Sequence, residues 1–375
     1  KMAKKKIEET DITPMSKEDL EAKFALEGTD ATEDKKSKKP TLFKEKKDWD
    51  IDKYRKSKIT PAVYKPMSFI NMSPAFQEIT GFPGFPEGYI HMIYGASDVG
   101  KTTAILECAY YAQQKGILPI FIITEKKWSW ERAEKMGIIQ SDCLFEDNLP
   151  TIEAVCDKIA SYLEDQKNQD LPKDIVFLWD SLASTPSRVE MEATDEHEKI
   201  VQKALLNGDD ISELKKGSGG MMNANRVVRE RINRNLQHKI TATRNDGYPF
   251  NATLIILNHG YISPNPTGPA SLVPYCGAAL KYSLAFQIRQ GKVNGNPKKH
   301  IATKDGVDVT WGLEVPFMFE KNHINGISRQ GNVIVTPQGY ILATKESIDQ
   351  YKKDHRNEWS TDFEQYFNEE EETEL

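Results

Sequence analysis

The sequence holds no apolar run approaching the ~20 residues of a membrane span, so nothing in it reads as a transmembrane helix. Cysteine is scarce: Cys108, Cys143, Cys156 and Cys276 stand far apart and never at CxxC spacing. The seven histidines form no ligand pattern with them, which argues against a clustered zinc site. Isolated, buried thiols suit a reducing compartment. No secretory-type apolar stretch opens the chain, and the expected location is cytoplasmic. An excess of positive charge is also lacking. With a net charge of −6, the whole-molecule field does not announce a nucleic-acid partner.

What is present suffices for a large core. The 375 residues are 38% hydrophobic and 9% aromatic, enough for one sizeable α/β core with accessory segments or two modest domains. The charged residues concentrate at the ends. Residues 1–60 form a basic, charged arm with runs such as Lys4-Lys5-Lys6, and a short helix capped by Ser16 is expected at 16–26. Residues 61–345 carry the core, and 346–375 close the chain with the acidic run from Asn368 to Leu375.

Within the core, Phe69, Ile70, Met72, Phe76 and Ile79 are spaced as one helical face, followed by a Gly/Pro-rich turn at 81–88. Uniformly apolar strands are expected at 89–94, 118–123, 175–179 and 252–257. Helices are expected at 101–115, 130–136 and 152–163. Strands apolar on both faces, alternating with helices, indicate a mostly parallel sheet covered on both sides. Shorter strands at 283–289, 315–320 and 331–336 read as an antiparallel extension of that sheet.

One motif dominates. Gly95-Ala96-Ser97-Asp98-Val99-Gly100-Lys101-Thr102 fits G-x-x-x-x-G-K-[ST], with Thr103 following, between an expected strand and an expected helix. Such a loop turns successive backbone N–H groups toward phosphates at the positive end of a helix. Lys101 would reach the outer phosphates and Thr102 would ligate Mg²⁺. Asp180 closes an apolar strand and is the second candidate for the magnesium site. Glu125 follows another strand and reads either as the group orienting the attacking water or as a solvated carboxylate beside Lys126 and Lys127. Asn258-His259 reads as a γ-phosphate sensor or as ordinary loop residues. The segment 260–274, with four prolines and two glycines, is the kind of loop that is functional or mobile beside a nucleotide site.

In order, these motifs resemble the RecA family, most closely the bacteriophage UvsX-type recombinases, over residues 62–344. Asp180-Ser181-Leu182-Ala183-Ser184-Thr185-Pro186 resembles the family's Walker B segment. Ile256-Leu257-Asn258-His259 is similar to the strand and sensor leading into the second DNA loop, and Cys276-Gly277-Ala278-Ala279-Leu280-Lys281-Tyr282 to the exit from it. Glu320-Lys321-Asn322-His323 falls where the family places basic residues that reach a neighbour's ATP.

The resemblance implies a RecA-like ATPase core with ATP and Mg²⁺ as cofactors, and Glu125 as catalytic carboxylate. It makes Lys321 a cation acting across a subunit interface and puts Arg132 where the family stacks an aromatic on adenine. DNA contacts are implied for a first loop ending in Lys215, Lys216, Gly217, Gly219 and Gly220, which carries an inserted helical stretch around 195–214. They are implied too for a second loop with Gly260, Tyr261, Gly268 and Gly277. Arg226, Arg229, Arg231 and Arg234 ride a helix that is either a solvated face or a phosphate-tracking surface. The implied activity is DNA-dependent ATP hydrolysis with homologous pairing and strand exchange, in a helical filament on single-stranded DNA. Homologous duplex, single-strand-binding protein and mediators are the implied partners, with no membrane; if phage-encoded, the protein works in the host cytoplasm. A hexameric replicative helicase and a KaiC-like regulatory ATPase without DNA binding are the alternatives.

Overall fold

The computed structural model describes residues 64–207, 220–264, 268–293, 295–304 and 307–355. The basic arm, its expected helix and the acidic tail lie outside the described residues, as do Lys215, Lys216, Gly217 and Gly219. The first described segment departs from expectation. Phe69–Asn71 (β1) pairs antiparallel with Gly84–Pro86 (β2), and a helix starts only at Pro74–Thr80 (α1), so the expected single helical face is divided. Proline disfavours helical geometry in the residue before it yet suits the first helical position. Ser73 caps the start through a bond from the Phe76 N–H, and Gly81, left-handed at φ 74°, ends it.

The core follows as β3 (Ile90–Gly95), α2 (Lys101–Gln114), β4 (Leu118–Ile123), α3 (Trp130–Lys135), β5 (Leu144–Glu146), α4 (Ile152–Lys167) and β6 (Ile175–Asp180). Then come α5 (Arg188–Asn207) and α6 (Gly220–Val227), which runs through π-helical Val228–Leu236 into α7 (Gln237–Ala242). The remainder is β7 (Ala252–Ser263), β8 (Ser271–Pro274), α8 (Gly277–Leu280), β9 (Leu284–Gln290), β10 (Lys298–Lys304), β11 (Val307–Asn322), β12 (Gln330–Thr336), β13 (Gly339–Leu342) and α9 (Lys345–Asp354). The main sheet runs β13-β12-β11-β9-β3-β7-β6-β4-β5, parallel from β9 to β5 and antiparallel from β9 through β11 to β13. This is an α/β fold with a mostly parallel sheet, flanked by helices and extended by antiparallel strands. A RecA-like core has this architecture.

Alternation explains the unbroken apolar strands. Ile93, Phe121, Ile123, Val176, Leu178, Ile255 and Leu257 face one core with α1, α2 and α3. Their neighbours Met92, Tyr94, Ile120, Ile122, Phe177, Trp179, Leu254 and Ile256 face a second core with α4 and the helices spanning 220–242. Each strand is buried on both sides, so period-two polarity has no room to develop.

Three further expectations are corrected. The strand at 283–289 is not part of the antiparallel extension: β9 lies parallel to β3, where a long crossover returns the chain beside the phosphate loop. The segment after Gly260 is not irregular throughout, because β7 continues to Ser263 and pairs antiparallel with β8, forming a hairpin arm. The helical stretch around 195–214 begins earlier, at Arg188. Beyond 345, α9 was not foreseen; Thr344 caps it by accepting from the Ser347 N–H.

A fully buried histidine makes the fold pH-sensitive. His91 packs among Phe85, Tyr89 and Phe286, and its Nε2 bonds to the Pro86 carbonyl at 2.9 Å. Its Nδ1 has no partner, and burial pushes the imidazole down to about 3. The folded state therefore holds the neutral ring while the unfolded state protonates at its ordinary value near ~6.5. Stability from this group is complete above that value and falls by about 1.4 kcal/mol per pH unit as pH drops from there toward the folded value. The expected result is a urea midpoint that falls faster below pH ~6.5 for the native chain than for His91→Gln. Parallel midpoints would remove His91 as the cause.

Candidate nucleotide site

Parallel register gathers the functional residues at one sheet edge. Gly95 at the end of β3 stands opposite His259 of β7, and Ile123 of β4 opposite Asp180 of β6. The loops leaving the carboxyl ends of these strands converge, as open α/β sheets do at their binding crevices. They enclose a cavity of about 390 Å³ lined by Ser97, Asp98, Gly100, Lys101, Thr102, Glu125, Lys127, Trp128, Arg132, Asp180 and His259.

Two glycines of the loop are sterically required. A Cβ on Gly95 would lie 2.1 Å from the Gln290 carbonyl oxygen. Gly100 is left-handed at φ 84°, and its Cβ would meet Val335 at 2.4 Å. Asp98 is also left-handed, at φ 59°, while Ala96 packs against the core. Lys101 starts α2 and is only 8% exposed; its ammonium bonds to the Ala96 carbonyl at 2.6 Å and approaches that of Gly95 at 3.4 Å. Burial lowers its proton affinity, against the opposing charges of Asp180, Glu125 and Asp98.

Thr102 donates to Asp180 Oδ2 at 2.8 Å. Burial raises the Asp180 carboxyl above its ordinary value, the Thr102 bond and Lys101 work the other way, and the Glu125 charge adds to the rise. A buried carboxylate beside a hydroxyl is a small set of hard oxygen donors. It fits Mg²⁺, which keeps most of its waters and takes one or two protein oxygens plus phosphates. Among the described residues, no cluster of three or more His, Cys, Asp or Glu side chains is arranged to hold a metal by itself.

Glu125 is the most strongly tuned group here. Its Oε1 accepts from Ser181 Oγ at 2.7 Å and lies 2.6 Å from His259 Nε2. The His259 bond is the largest cause holding the carboxyl down at about 2, with Ser181 adding to it against burial. Ser181 follows a cis Asp180–Ser181 peptide and shares a capping box with Ser184. Thr124, next to Glu125, bonds to the Ser181 carbonyl at 3.0 Å, so the two strand ends are tied together.

Other candidates fall into distinct places. Arg132, on α3, lines the cavity and donates to buried Thr103 Oγ1 at 2.7 Å. Behind it Trp128, Trp130, Phe121 and Phe145 form an aromatic cluster. Asn258 is fully buried and turned from the cavity, donating to the Tyr275 carbonyl at 2.6 Å; the cavity-facing member of the pair is His259. Lys321 does not line the cavity; its ammonium bonds to the Lys281 carbonyl, next in sequence to Tyr282, which is 85% exposed.

The described DNA candidates sit on β7, on the segments that follow it and on the helices at 220–236. Tyr261 and Gly268 are exposed, and Gly260 sits in β7 facing Leu272. Gly277 opens α8 under Pro274, and Gly220 opens α6. Arg226, Arg229 and Arg234 are exposed, whereas Arg231 pairs with Asp157 at 2.8 Å. Sequence reading passed over the exposed apolar side chains Met222 and Ile262, for which no period or motif is a signal. It also missed Tyr94, which donates to Glu320 at 2.7 Å and lies 3.1 Å from the Leu272 carbonyl. That hydroxyl links the phosphate-loop strand, the hairpin arm and the strand of Lys321.

No family model matches the chain. It is similar to Protein RecA of Wigglesworthia glossinidia brevipalpis, 27% identical over 151 residues, which is 40% of this chain and 42% of that protein. It is similar also to Protein RecA of Cytophaga hutchinsonii, 29% identical over 134 residues, 36% of each chain. The chain thus spans about two fifths of the length of these curated relatives. Among the described residues, no helix is long and apolar enough to cross a membrane.

Proposed function

We propose that this chain is an ATP-dependent recombinase, close to the phage UvsX type, that coats single-stranded DNA as a helical filament and pairs it with homologous duplex. One observation carries the reading. Glu125, which this reading makes the group acting on the attacking water, lies 2.6 Å from His259, the residue from which the hairpin arm at 260–274 springs. A change in the arm on meeting DNA reaches the hydrolytic group through a single side chain. Similarity to the two RecA proteins supports the same reading.

The roles then follow. Residues 95–102 hold the phosphates through backbone N–H groups and Lys101, while Thr102 and Asp180 hold Mg²⁺. When bound, the cation neutralises charge on the phosphate oxygens. Glu125 orients water, His259 senses the outer phosphate, and Arg132 lies flat against the base. Lys321 is donated by the neighbouring protomer to the developing charge. Tyr261, Gly260, Gly268, Gly277, Gly220 and Arg226, with the first-loop residues Lys215, Lys216, Gly217 and Gly219, contact the DNA backbone.

The test is negative-stain microscopy with single-stranded DNA and a slowly hydrolysed ATP analogue. Long striated filaments are expected. Closed six-fold rings would instead favour a helicase, and failure to engage DNA a regulatory ATPase.

A further inference from the structure

The phosphate loop is braced from behind by side chains that no motif contains. Gln290, the last residue of β9, is fully buried, and its Nε2 donates to the Val99 carbonyl at 2.5 Å. The other end of the same amide accepts from the Tyr340 hydroxyl at 2.9 Å. Tyr340 belongs to β13, and its own N–H donates to Glu107 Oε2 at 2.8 Å. Glu107 is buried in the middle of α2, the helix the phosphate loop begins, and its second oxygen accepts from the Ser73 N–H at 2.8 Å. A closed circuit results: loop, helix, Glu107, Tyr340, Gln290 and back to the loop.

The consequence lies in the Val99–Gly100 peptide. In a planar trans peptide the C=O and N–H point in opposite directions. Gln290 draws the Val99 oxygen toward the antiparallel strands, so the Gly100 N–H points the opposite way, and Gly100 lines the cavity. Gly100 has no Cβ to lock its left-handed conformation, and a glycine-rich loop is free to turn that peptide over. Without the brace the loop would spend part of its time with a carbonyl where a donor is needed, and binding would carry the cost of reordering.

We infer that Gln290 and Tyr340 are positioning residues that hold the phosphate loop in its anion-binding conformation before the nucleotide arrives. They touch neither the cavity nor any reacting atom and act through the Val99–Gly100 peptide. The inference rests on the nucleotide reading of the loop and deepens it. It also gives the antiparallel extension a task, since its strand β13 supplies Tyr340 to the Gln290 amide at the end of parallel β9.

Gln290→Met keeps the length and apolar volume of the side chain and removes its donor; Tyr340→Phe removes one hydroxyl. With full-length protein and Mg²⁺, affinities for AMP, ADP and ATP would be measured by calorimetry, with KM, kcat and the nucleotide-free melting temperature. For Gln290→Met the expected result is a loss of roughly 5- to 10-fold in ADP and ATP affinity, the scale of one hydrogen bond. AMP binding changes little, because the lost order concerns the loop that meets the outer phosphates. KM rises more than kcat falls. Tyr340→Phe loses less; because its hydroxyl holds Gln290 at 2.9 Å and also reaches the Gly100 carbonyl at 3.3 Å, the double variant loses somewhat more than Gln290→Met but less than the two single losses combined. Equal ATP affinities in variant and native protein would overturn the brace, as would a uniform loss across AMP, ADP and ATP that merely tracks a lower melting temperature. If the native chain binds no ATP, the nucleotide reading itself falls.

Discussion

Glu125→Gln is expected to bind ATP with nearly native affinity and to hydrolyse it at least ~10²-fold more slowly. The substitution is close to isosteric, and the amide oxygen still accepts from Ser181 and His259, so the local bonding survives. What disappears is the negative charge. With its carboxyl held down at about 2, Glu125 is fully ionised at neutral pH, and in the proposed mechanism that charge polarises a water. Bonds from His259 and Ser181 also leave it a weak proton acceptor as it stands, so in the proposed mechanism release of the His259 bond is expected to speed hydrolysis. Single-turnover hydrolysis measured beside nucleotide binding separates the two effects. Normal turnover in the glutamine variant would assign water activation to another residue.

Lys101→Ala is expected to weaken nucleotide binding by roughly 10²-fold and to abolish any dependence of DNA binding on ATP. The ammonium is nearly buried and rests on the carbonyls of Gly95 and Ala96, from which a phosphate can take it over. It also opposes the charges of Asp180 and Glu125 within the cavity. Removing it takes away the loop's own cation beside Asp180 and Glu125 and leaves only Lys127 and Arg132 as lysine or arginine lining the cavity, so the attraction for an incoming polyphosphate falls. The measurement is nucleotide affinity together with DNA titrations with and without ATP. Unchanged ATP-dependent DNA binding would take the loop out of the mechanism.

The legible parts of this molecule were those written in contiguous residues. Residues 95–102 announce themselves because a phosphate cradle needs glycine, lysine and threonine at set steps along one turn. The apolar runs at 118–123 and 175–179 declare a two-sided sheet for an equally local reason. Ser73-Pro74 shows where sequence reading slipped: five apolar residues matched a helical period, yet a cap and a proline divided them into strand and helix. Asn258 shows the converse limit. The pair Asn258-His259 was found, but in a β-strand successive side chains point oppositely. Only the tertiary structure turned His259 to the cavity and Asn258 to Tyr275.

The sequence by itself determined the phosphate loop, the parallel sheet and the strand ends that carry Glu125 and Asp180, since each depends on neighbours within a turn or a strand. The tertiary structure decided how those parts are coupled. His259 meets Glu125 across 134 positions, Gln290 meets Val99 across 191, and Tyr340 meets Glu107 across 233. Such contacts leave no period or spacing in the chain. They exist because sheet register brings remote strand ends to one edge, where buried polar groups must find their partners among one another.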